Sequence, residues 1–268
     1  MRRETPRLFR VRLLAVFSVG FLAAAAARGE EQSPIDLRRQ DAVLVHANEL
    51  ARLHFDYASR ATLEVVDTGS PDEEATVRAN VPAGAGRLTV GGVTYDLRQF
   101  HWHTPSEHRI EGETFPMEMH LVHEGPGGSL LVVGIFLREG HRHGELEKIF
   151  ADLPEEGDPT SVPGFKLSRL LPGDRRSIRY RGSLTTPPFT EGVQWVVLVD
   201  PLEVPGEMIA AFEALFPEGN SREPQPLNGR TVRTDAKWKS VGKAAALDGS
   251  NCWKSGIAAG STGAASSP

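Results

Sequence analysis

Three histidines occupy alternate positions on two extended segments, and this spacing restricts how the chain can fold. The first segment is Phe100-His101-Trp102-His103, and Glu118-Met119-His120 follows 17 positions further on. Because side chains two apart on a strand share a face, His101 and His103 point the same way. An antiparallel neighbouring strand would bring His120 beside them. Three imidazoles can hold one zinc ion and leave its fourth position open, so the pattern predicts paired strands that carry a metal centre.

Two polar residues on the same faces are suited to orient these histidines. Gln99 lies two positions before His101, and Glu118 lies two positions before His120. Metal-binding imidazoles commonly donate their second N–H to such acceptors, which fixes the tautomer. A second His-x-His pair, His141-Arg142-His143, follows Glu139-Gly140 and precedes Gly144. This context favours an exposed loop there.

The spacing also leaves a different metal site open. His101-x-His103-x3-Glu107 matches the first motif of the cupins, in which the glutamate is itself a ligand. That motif has a glycine a few residues before its first histidine, whereas residues 96–100 contain none. The second cupin motif, Pro-x-Gly followed closely by histidine, is not found after Pro126. These differences favour the three-histidine site.

The composition favours a β-rich or mixed fold over a helical bundle. The 268 residues include 27 Gly and 19 Pro, and 40% of the residues are apolar. Glycine and proline punctuate a chain with turns, while this apolar fraction can bury a sizeable core. We find no internal repeat and no boundary within residues 32–238, which predicts one domain.

Hydrophobic patterns predict strands and two short helices. Strands are predicted over residues 53–66, 85–104, 130–137 and 193–199, with a hairpin turn at Gly91-Gly92. Helices are predicted over 145–153 and 206–216, and a proline ends each of them. In the second helix Met208, Phe212 and Leu215 recur at helical spacing, which predicts a core-facing stripe.

The two ends of the chain differ from the part between them. Residues 1–27 combine five arginines with an apolar run and end in Ala25-Ala26-Ala27, a pattern typical of a cleaved secretory signal. An uncleaved anchor and an organelle transit peptide are the alternatives. The domain would then occupy 28–239, and residues 240–268, rich in Ala, Gly and Ser, are predicted to form a flexible tail. We therefore expect an exported protein (extracellular, periplasmic or lumenal) with no stable membrane span.

The charge and the cysteine count exclude some partners. The formal net charge is −5, and residues 1–27 hold five Arg and one Glu, so the remainder carries about −9. A protein this acidic has no electrostatic footprint for nucleic acid and little attraction to anionic membranes. Cys252 is the only cysteine and permits no intramolecular disulfide. We expect a small-molecule substrate and a monomer or weak oligomer.

Further motifs follow in order along residues 32–235, and together they resemble the α-class carbonic anhydrases. No other family that we know combines them in this order. The matching segments are Gln32-Ser33-Pro34-Ile35-Asp36, Phe100-His101-Trp102-His103, Ser106-Glu107-His108, Glu118-Met119-His120-Leu121-Val122-His123, Gly134-Ile135-Phe136-Leu137, Gly182-Ser183-Leu184-Thr185-Thr186-Pro187-Pro188, Trp195 and Gln225-Pro226-Leu227-Asn228-Gly229-Arg230.

The resemblance implies a mostly β single domain with a large twisted, mainly antiparallel central sheet and a few short helices. It implies a zinc lyase that reversibly hydrates CO2 to bicarbonate and a proton by a zinc-bound hydroxide. His101, His103 and His120 match the zinc ligands. Thr185 matches the residue that accepts a hydrogen bond from this hydroxide, and Glu107 matches the carboxylate that receives the Thr185 proton. A carboxylate only accepts, so Thr185 must donate to it.

The resemblance also implies a substrate pocket. The residues that match the apolar wall for CO2 are Val122, Val132, Leu184 and Trp195. Thr186 matches a contact on the bicarbonate side. His108 and Tyr180 match buried structural partners rather than catalytic groups.

Several features of the family are missing from the sequence. Fast members carry a histidine that shuttles protons, but the matching turn here is Asp67-Thr68-Gly69-Ser70, and no histidine lies between His54 and His101. Serine cannot relay protons near neutral pH as imidazole can, so we predict that proton release limits turnover. The aromatic segment that precedes Gln32 in the family is not found, and Gly192 matches the cysteine of secreted relatives. A catalytically weak binding or storage protein is therefore the alternative function.

Overall fold

The described part of the chain folds around β-strands. The computed structural model describes residues 30–46, 49–69, 75–154 and 158–237. The strands in this part are β1 Asp36–Leu37, β2 Ala42–Leu44, β3 His54–Tyr57, β4 Ala61–Asp67, β5 Val77–Asn80, β6 Gly86–Val90, β7 Val93–His103, β8 Arg109–Ile110, β9 Met117–Glu124, β10 Leu130–Glu139, β11 Thr160–Phe165, β12 Ser177–Ser183, β13 Glu191–Val204 and β14 Val232–Thr234. The helices are α1 Glu147–Phe150 and α2 Gly206–Leu215, with short 3-10 turns at Arg39–Asp41, Pro126–Gly128 and Leu167–Leu170.

Twelve of these strands form one mixed sheet. Ten of them follow the order β11-β4-β5-β7-β9-β10-β13-β12-β14-β2, and β3 and β6 extend the sheet beside β7. Most neighbours are antiparallel, while the β10–β13 and β14–β2 pairs are parallel. β1 and β8 form a separate parallel pair. The predicted fold class, a large and mainly antiparallel sheet with a few short helices, is confirmed.

Two clusters of buried side chains cover opposite faces of this sheet. Along β10, Leu131 and Val133 belong to the larger cluster, whereas Val132 and Phe136 belong to the smaller one. This alternation follows from the two-residue period of a strand. Trp102 joins the larger cluster. Its neighbours His101 and His103 therefore face the side of the sheet that holds the smaller cluster.

The predicted strands agree with the structure best where the sequence also contains a clear turn signal. The turn at Gly91-Gly92 joins β6 to β7, and both glycines adopt a positive φ, of 59° and 81°. Such a turn is favoured by glycine because other residues are strained there. The strand predicted over 53–66 is instead two strands, β3 and β4, and the strand predicted over 193–199 is longer, as β13.

The helix predictions were right in place and partly wrong in extent. The helix predicted over 206–216 is present as α2, but the one predicted over 145–153 is reduced to the single turn of α1. In α2 Met208 and Phe212 are buried, whereas Leu215 is 39% exposed. The prediction that Leu215 faces the core was therefore wrong: it lies in the last turn of the helix, where the chain leaves the core for Pro217.

Three other predictions concern residues that the structure does not describe. The predicted signal (1–27), the predicted tail (240–268) with Cys252, and Ser70 all lie outside the described residues. Among the described residues, no helix is long and apolar enough to cross a bilayer.

In the second His-x-His pair His141 is exposed, as expected for a loop, whereas the ring of His143 is partly buried and hydrogen-bonded to the carbonyl of Arg169 at 3.0 Å.

A buried histidine pairs with a tyrosine inside the larger cluster. His123 lies on β9, and its Nδ1–H donates to the carbonyl of Leu131 at 3.3 Å. The hydroxyl of Tyr57 donates to its Nε2 at 2.6 Å. Burial lowers the pKa of His123 from 6.5 to about 4, against the opposing effect of its backbone hydrogen bonds. His123 therefore stays neutral at pH 7.

We expect this histidine to make the fold sensitive to acid. A depressed folded-state pKa means that the unfolded chain binds a proton first, so stability is lost as the pH falls from about 6.5 to about 4. The pKa difference corresponds to roughly 3 kcal/mol. Chemical unfolding of the wild type and His123→Gln across this range measures it. We expect the variant to be less stable at pH 7, and the gap to shrink by pH 4. A gap that is constant with pH would contradict the assignment.

Candidate metal centre

The structure brings the three predicted metal ligands together. β7 and β9 pair antiparallel with His101 opposite His120 and His103 opposite Glu118. The ring centroids of His103 and His120 lie 4.6 Å apart, and that of His101 lies 5.0 and 5.3 Å from these two. One ring nitrogen of each histidine lies within 4.8 Å of the others, and all three side chains are buried. Such a set could hold one metal ion.

The other ring nitrogen of each histidine is engaged by an acceptor. His101 Nδ1–H donates to Gln99 Oε1 at 2.8 Å, and His120 Nε2–H donates to Glu118 Oε1 at 2.9 Å. Gln99 and Glu118 thus lie where the sequence predicts them, two positions from their histidines. These bonds leave His101 Nε2 and His120 Nδ1 as the nitrogens with lone pairs for a metal. Burial, the largest cause, lowers the pKa of His120 from 6.5 to about 3, so it is neutral and competent to bind metal at pH 7.

Glu118 connects the metal centre to a buried hydrogen-bond network. Its Oε1 accepts from His108 Nδ1–H at 2.8 Å as well as from His120, and the Tyr180 hydroxyl bonds His108 Nε2 at 2.7 Å. Burial alone would raise the pKa of Glu118, but His108 and His120 outweigh it and hold the pKa well below its usual value. His108, Glu118 and His120 are also close enough to hold an ion. Their bonds have ordinary hydrogen-bond lengths, so we interpret them as an orienting network.

A glycine makes room for this carboxylate. Gly134 lies on β10 directly opposite His120. A Cβ at Gly134 would approach Glu118 Oε1 to 2.8 Å, which is too close for ordinary packing. The glycine therefore allows Glu118 to reach both histidines.

Glu107 is a second buried carboxylate beside the histidines. Its Oε1 accepts the backbone N–H of Arg222 at 2.9 Å, and its Oε2 lies 3.8 Å from His120 Nδ1. Burial raises the pKa of Glu107 from 4.5 to about 7, while His103, the hydrogen bond from Arg222 and the nearby Thr185 hydroxyl lower it. Oε2 has no hydrogen-bond partner of ordinary length among the described residues. Thr185 lies close enough to this carboxyl to lower its pKa.

The predicted substrate pocket lies on the same side of the sheet as the histidines. Val132 pairs with Val122 on one neighbouring strand and with Trp195 on the other. Val132 and Trp195 are each 2% exposed and belong to the smaller cluster, against which Val122 and Leu184 pack. Thr186 is half-buried directly after Thr185. Val122, Val132 and Trp195 thus form an apolar row across three strands, with the Trp195 ring 4.9 Å from that of His120, and Leu184 packs against the same cluster.

Sequence reasoning missed two residues that hold the site together. The backbone carbonyl of Asn220 accepts from His103 Nδ1–H at 3.1 Å, and the Asn220 side chain accepts the Thr104 backbone N–H at 2.7 Å. Arg222 supplies the backbone N–H to Glu107, and its guanidinium donates to the Ser33 carbonyl at 2.7 Å. Any residue can supply a backbone group, so neither residue type signals this role.

The comparisons with known proteins agree with this fold and this site. A family model described as eukaryotic-type carbonic anhydrase matches residues 22–236. A carbonic anhydrase from Nostoc sp. is 38% identical over 207 residues, which cover 76% of this chain and 75% of the relative. One from Neisseria gonorrhoeae is 35% identical over 205 residues, covering 76% and 77%.

A solved structure leads to the same family. The α-carbonic anhydrase of Thermovibrio ammonificans, in complex with the inhibitor sulfanilamide, superposes with a TM-score of 0.70 at 38% identity. The match covers 76% of this chain and 87% of that one. The chain therefore belongs to the eukaryotic-type, or α-class, carbonic anhydrase family. It is an enzyme of this class, for which the hydration of CO2 is the general reaction.

Proposed function

We propose that the protein is a zinc-dependent enzyme that reversibly hydrates CO2 to bicarbonate and a proton. The observation that carries this proposal is the cluster of three buried imidazoles beside a buried carboxylate and an apolar wall. Three neutral nitrogen donors suit a catalytic zinc, which keeps an open position for water. His101, His103 and His120 would hold the ion. In carbonic anhydrases, for which the value is known, zinc lowers the pKa of its bound water to about 7 and so supplies a nucleophile at neutral pH.

The residues around the histidines would orient the imidazole rings and the nucleophile. Gln99, Glu118 and the Asn220 carbonyl hold the rings in the tautomers that direct lone pairs inward. Thr185, by donating to Glu107, would present its own oxygen as an acceptor and so orient the nucleophile. Glu107 Oε2, which has no hydrogen-bond partner among the described residues, would be the acceptor of this hydrogen bond.

The apolar wall would receive the substrate. CO2 is uncharged and lacks hydrogen-bond donors, so a pocket lined by Val122, Val132, Leu184 and Trp195 excludes water without any loss of polar contacts to CO2. Thr186 follows Leu184 and Thr185 in the sequence and would contact the bicarbonate side.

We also propose that proton release limits turnover. The turn that would carry a shuttle histidine in the family ends here in Ser70, and a serine hydroxyl does not titrate near pH 7.

Residues 1–27 would be a signal that directs the protein out of the cytoplasm, followed by a catalytic domain over 28–239 and a tail over 240–268. The protein would act as a monomer or weak oligomer.

Added buffer should reveal this limit. We expect kcat for CO2 hydration to rise severalfold with imidazole concentration at constant pH and ionic strength, because imidazole accepts the proton that the chain cannot pass on. The ratio kcat/KM should stay constant, since it reports the hydration step. Stopped-flow measurement with a pH indicator tests this, and a kcat that is independent of buffer concentration would contradict it.

The same assay separates the enzyme from the alternative binding or storage protein. Zinc-loaded protein should hydrate CO2 well above the uncatalysed rate, and a sulfonamide should inhibit it. Stoichiometric zinc without any rate enhancement would overturn the proposed reaction and leave a binding protein.

A further inference from the structure

An arginine lies on the strand next to the metal centre. β5 is the neighbour of β7, with Arg78 opposite His101 and Asn80 opposite Gln99. His101 in turn lies opposite His120 on β9. Directly opposed residues of neighbouring strands share a face of the sheet. Arg78, His101 and His120 therefore form a row across three strands on the face that carries the metal centre.

The burial pattern of β5 agrees with this orientation. Val77 and Ala79 are fully buried in the larger cluster on the far side of the sheet, and Arg78 is half-buried between them. Neighbouring strands are about 4.8 Å apart. A fully extended arginine side chain is longer than that spacing, so its guanidinium can reach the space next to the histidines.

The guanidinium has an unsatisfied donor at this position. Arg78 Nε is buried and has no hydrogen-bond partner, and Arg78 forms no ion pair within the described residues. Arg222, in contrast, is held by the Gln32 side chain and the Ser33 carbonyl. Buried polar groups in proteins are nearly always paired, so this donor beside the histidines has the capacity to bond an acceptor that a ligand brings.

We infer that Arg78 binds small monovalent oxyanions beside the metal centre and so determines how strongly the site retains its anionic product. This inference rests on the proposed function, whose product is bicarbonate. The apolar wall has no donor for an anion, whereas a guanidinium presents planar pairs of N–H groups that match a planar oxyanion. Charge-assisted hydrogen bonds of this kind are among the stronger ones.

Nitrate is a suitable probe because it is planar and monovalent, like bicarbonate, and does not titrate near neutral pH. Its affinity for the zinc-loaded protein can be measured by calorimetry in chloride-free buffer, and its inhibition of CO2 hydration by stopped flow. We expect Arg78→Gln to weaken both by roughly tenfold. Arg78→Lys should recover part of the affinity, because it keeps the charge but loses the planar fork.

Arg98→Gln is the matched control. Arg98 is exposed on β7 and paired with Glu124 at 3.0 Å, so this change removes the same charge from the same sheet and should leave nitrate affinity and activity near the wild-type values. Equal nitrate affinity in the wild type and Arg78→Gln would overturn the inference, as would an equal loss in Arg98→Gln. A wild type without CO2 hydration whose nitrate binding still depends on Arg78 would refute the proposed reaction and keep the anion site.

Discussion

Replacement of His120 by alanine should abolish both zinc binding and CO2 hydration. His120 supplies one of only three protein donors in the cluster, and it is the ligand that Glu118 orients at 2.9 Å. Loss of an outer partner typically costs about 10–100-fold in metal affinity or activity, so loss of a ligand should cost more. We expect the purified variant to contain little zinc and to hydrate CO2 at the background rate.

His123→Ala is the control for this experiment. His123 lies on the same strand and is fully buried, but it faces the larger cluster on the other side of the sheet. This variant should lose stability and keep its zinc and its activity per folded molecule. Full activity in His120→Ala would refute the three-histidine site. Equal zinc loss in both variants would mean that any damage to β9 removes the zinc, and it would also count against a specific role for His120.

Replacement of Thr185 by valine should give the second largest loss of activity, without loss of zinc. Valine keeps the shape of threonine but cannot donate to Glu107 or accept from the nucleophile. Removal of one pre-organised hydrogen-bonding group from an active site typically costs about 10²–10³-fold in kcat. We expect an effect near the lower end, measured as kcat/KM for CO2 on protein of verified zinc content.

A double-mutant cycle tests whether Thr185 and Glu107 act together. Glu107→Gln should also reduce activity, because an amide can donate to the threonine and so turn its hydroxyl round. Residues that act as a unit are strongly non-additive, so the double variant should be hardly worse than the more damaging single variant. Fully additive losses would contradict the proposed link between the two side chains.

The cluster of three histidines was the part of the structure most open to prediction from sequence. Alternation along β7 determines which side chains share a face, and it correctly separated His101 and His103 from Trp102. The positions of Gln99 and Glu118 follow from the same two-residue period. The length predicted for α1 was too great. An apolar pattern that stops at a proline indicates where a helix ends, but it does not determine how long the helix is.

Other features depend on contacts distant in sequence. Asn220 and Arg222 act through backbone groups more than 100 positions from their partners, which no local pattern records. The short strands β2, β5 and β14 contain three or four residues each, too few for a periodic signal. The role inferred for Arg78 depends on the register between β5 and β7, which brings it opposite His101. The sequence alone shows only an arginine between two apolar residues, Val77 and Ala79.

The dependence of activity on zinc tests the account most directly. Metal should be removed from the wild-type protein with a chelator and then returned by titration, with CO2 hydration and bound zinc measured at each step. We predict that activity disappears with the metal, returns in proportion to bound zinc and reaches its plateau at one ion per chain. Activity that survives complete removal of the metal, or that does not return when zinc is bound, would contradict the account.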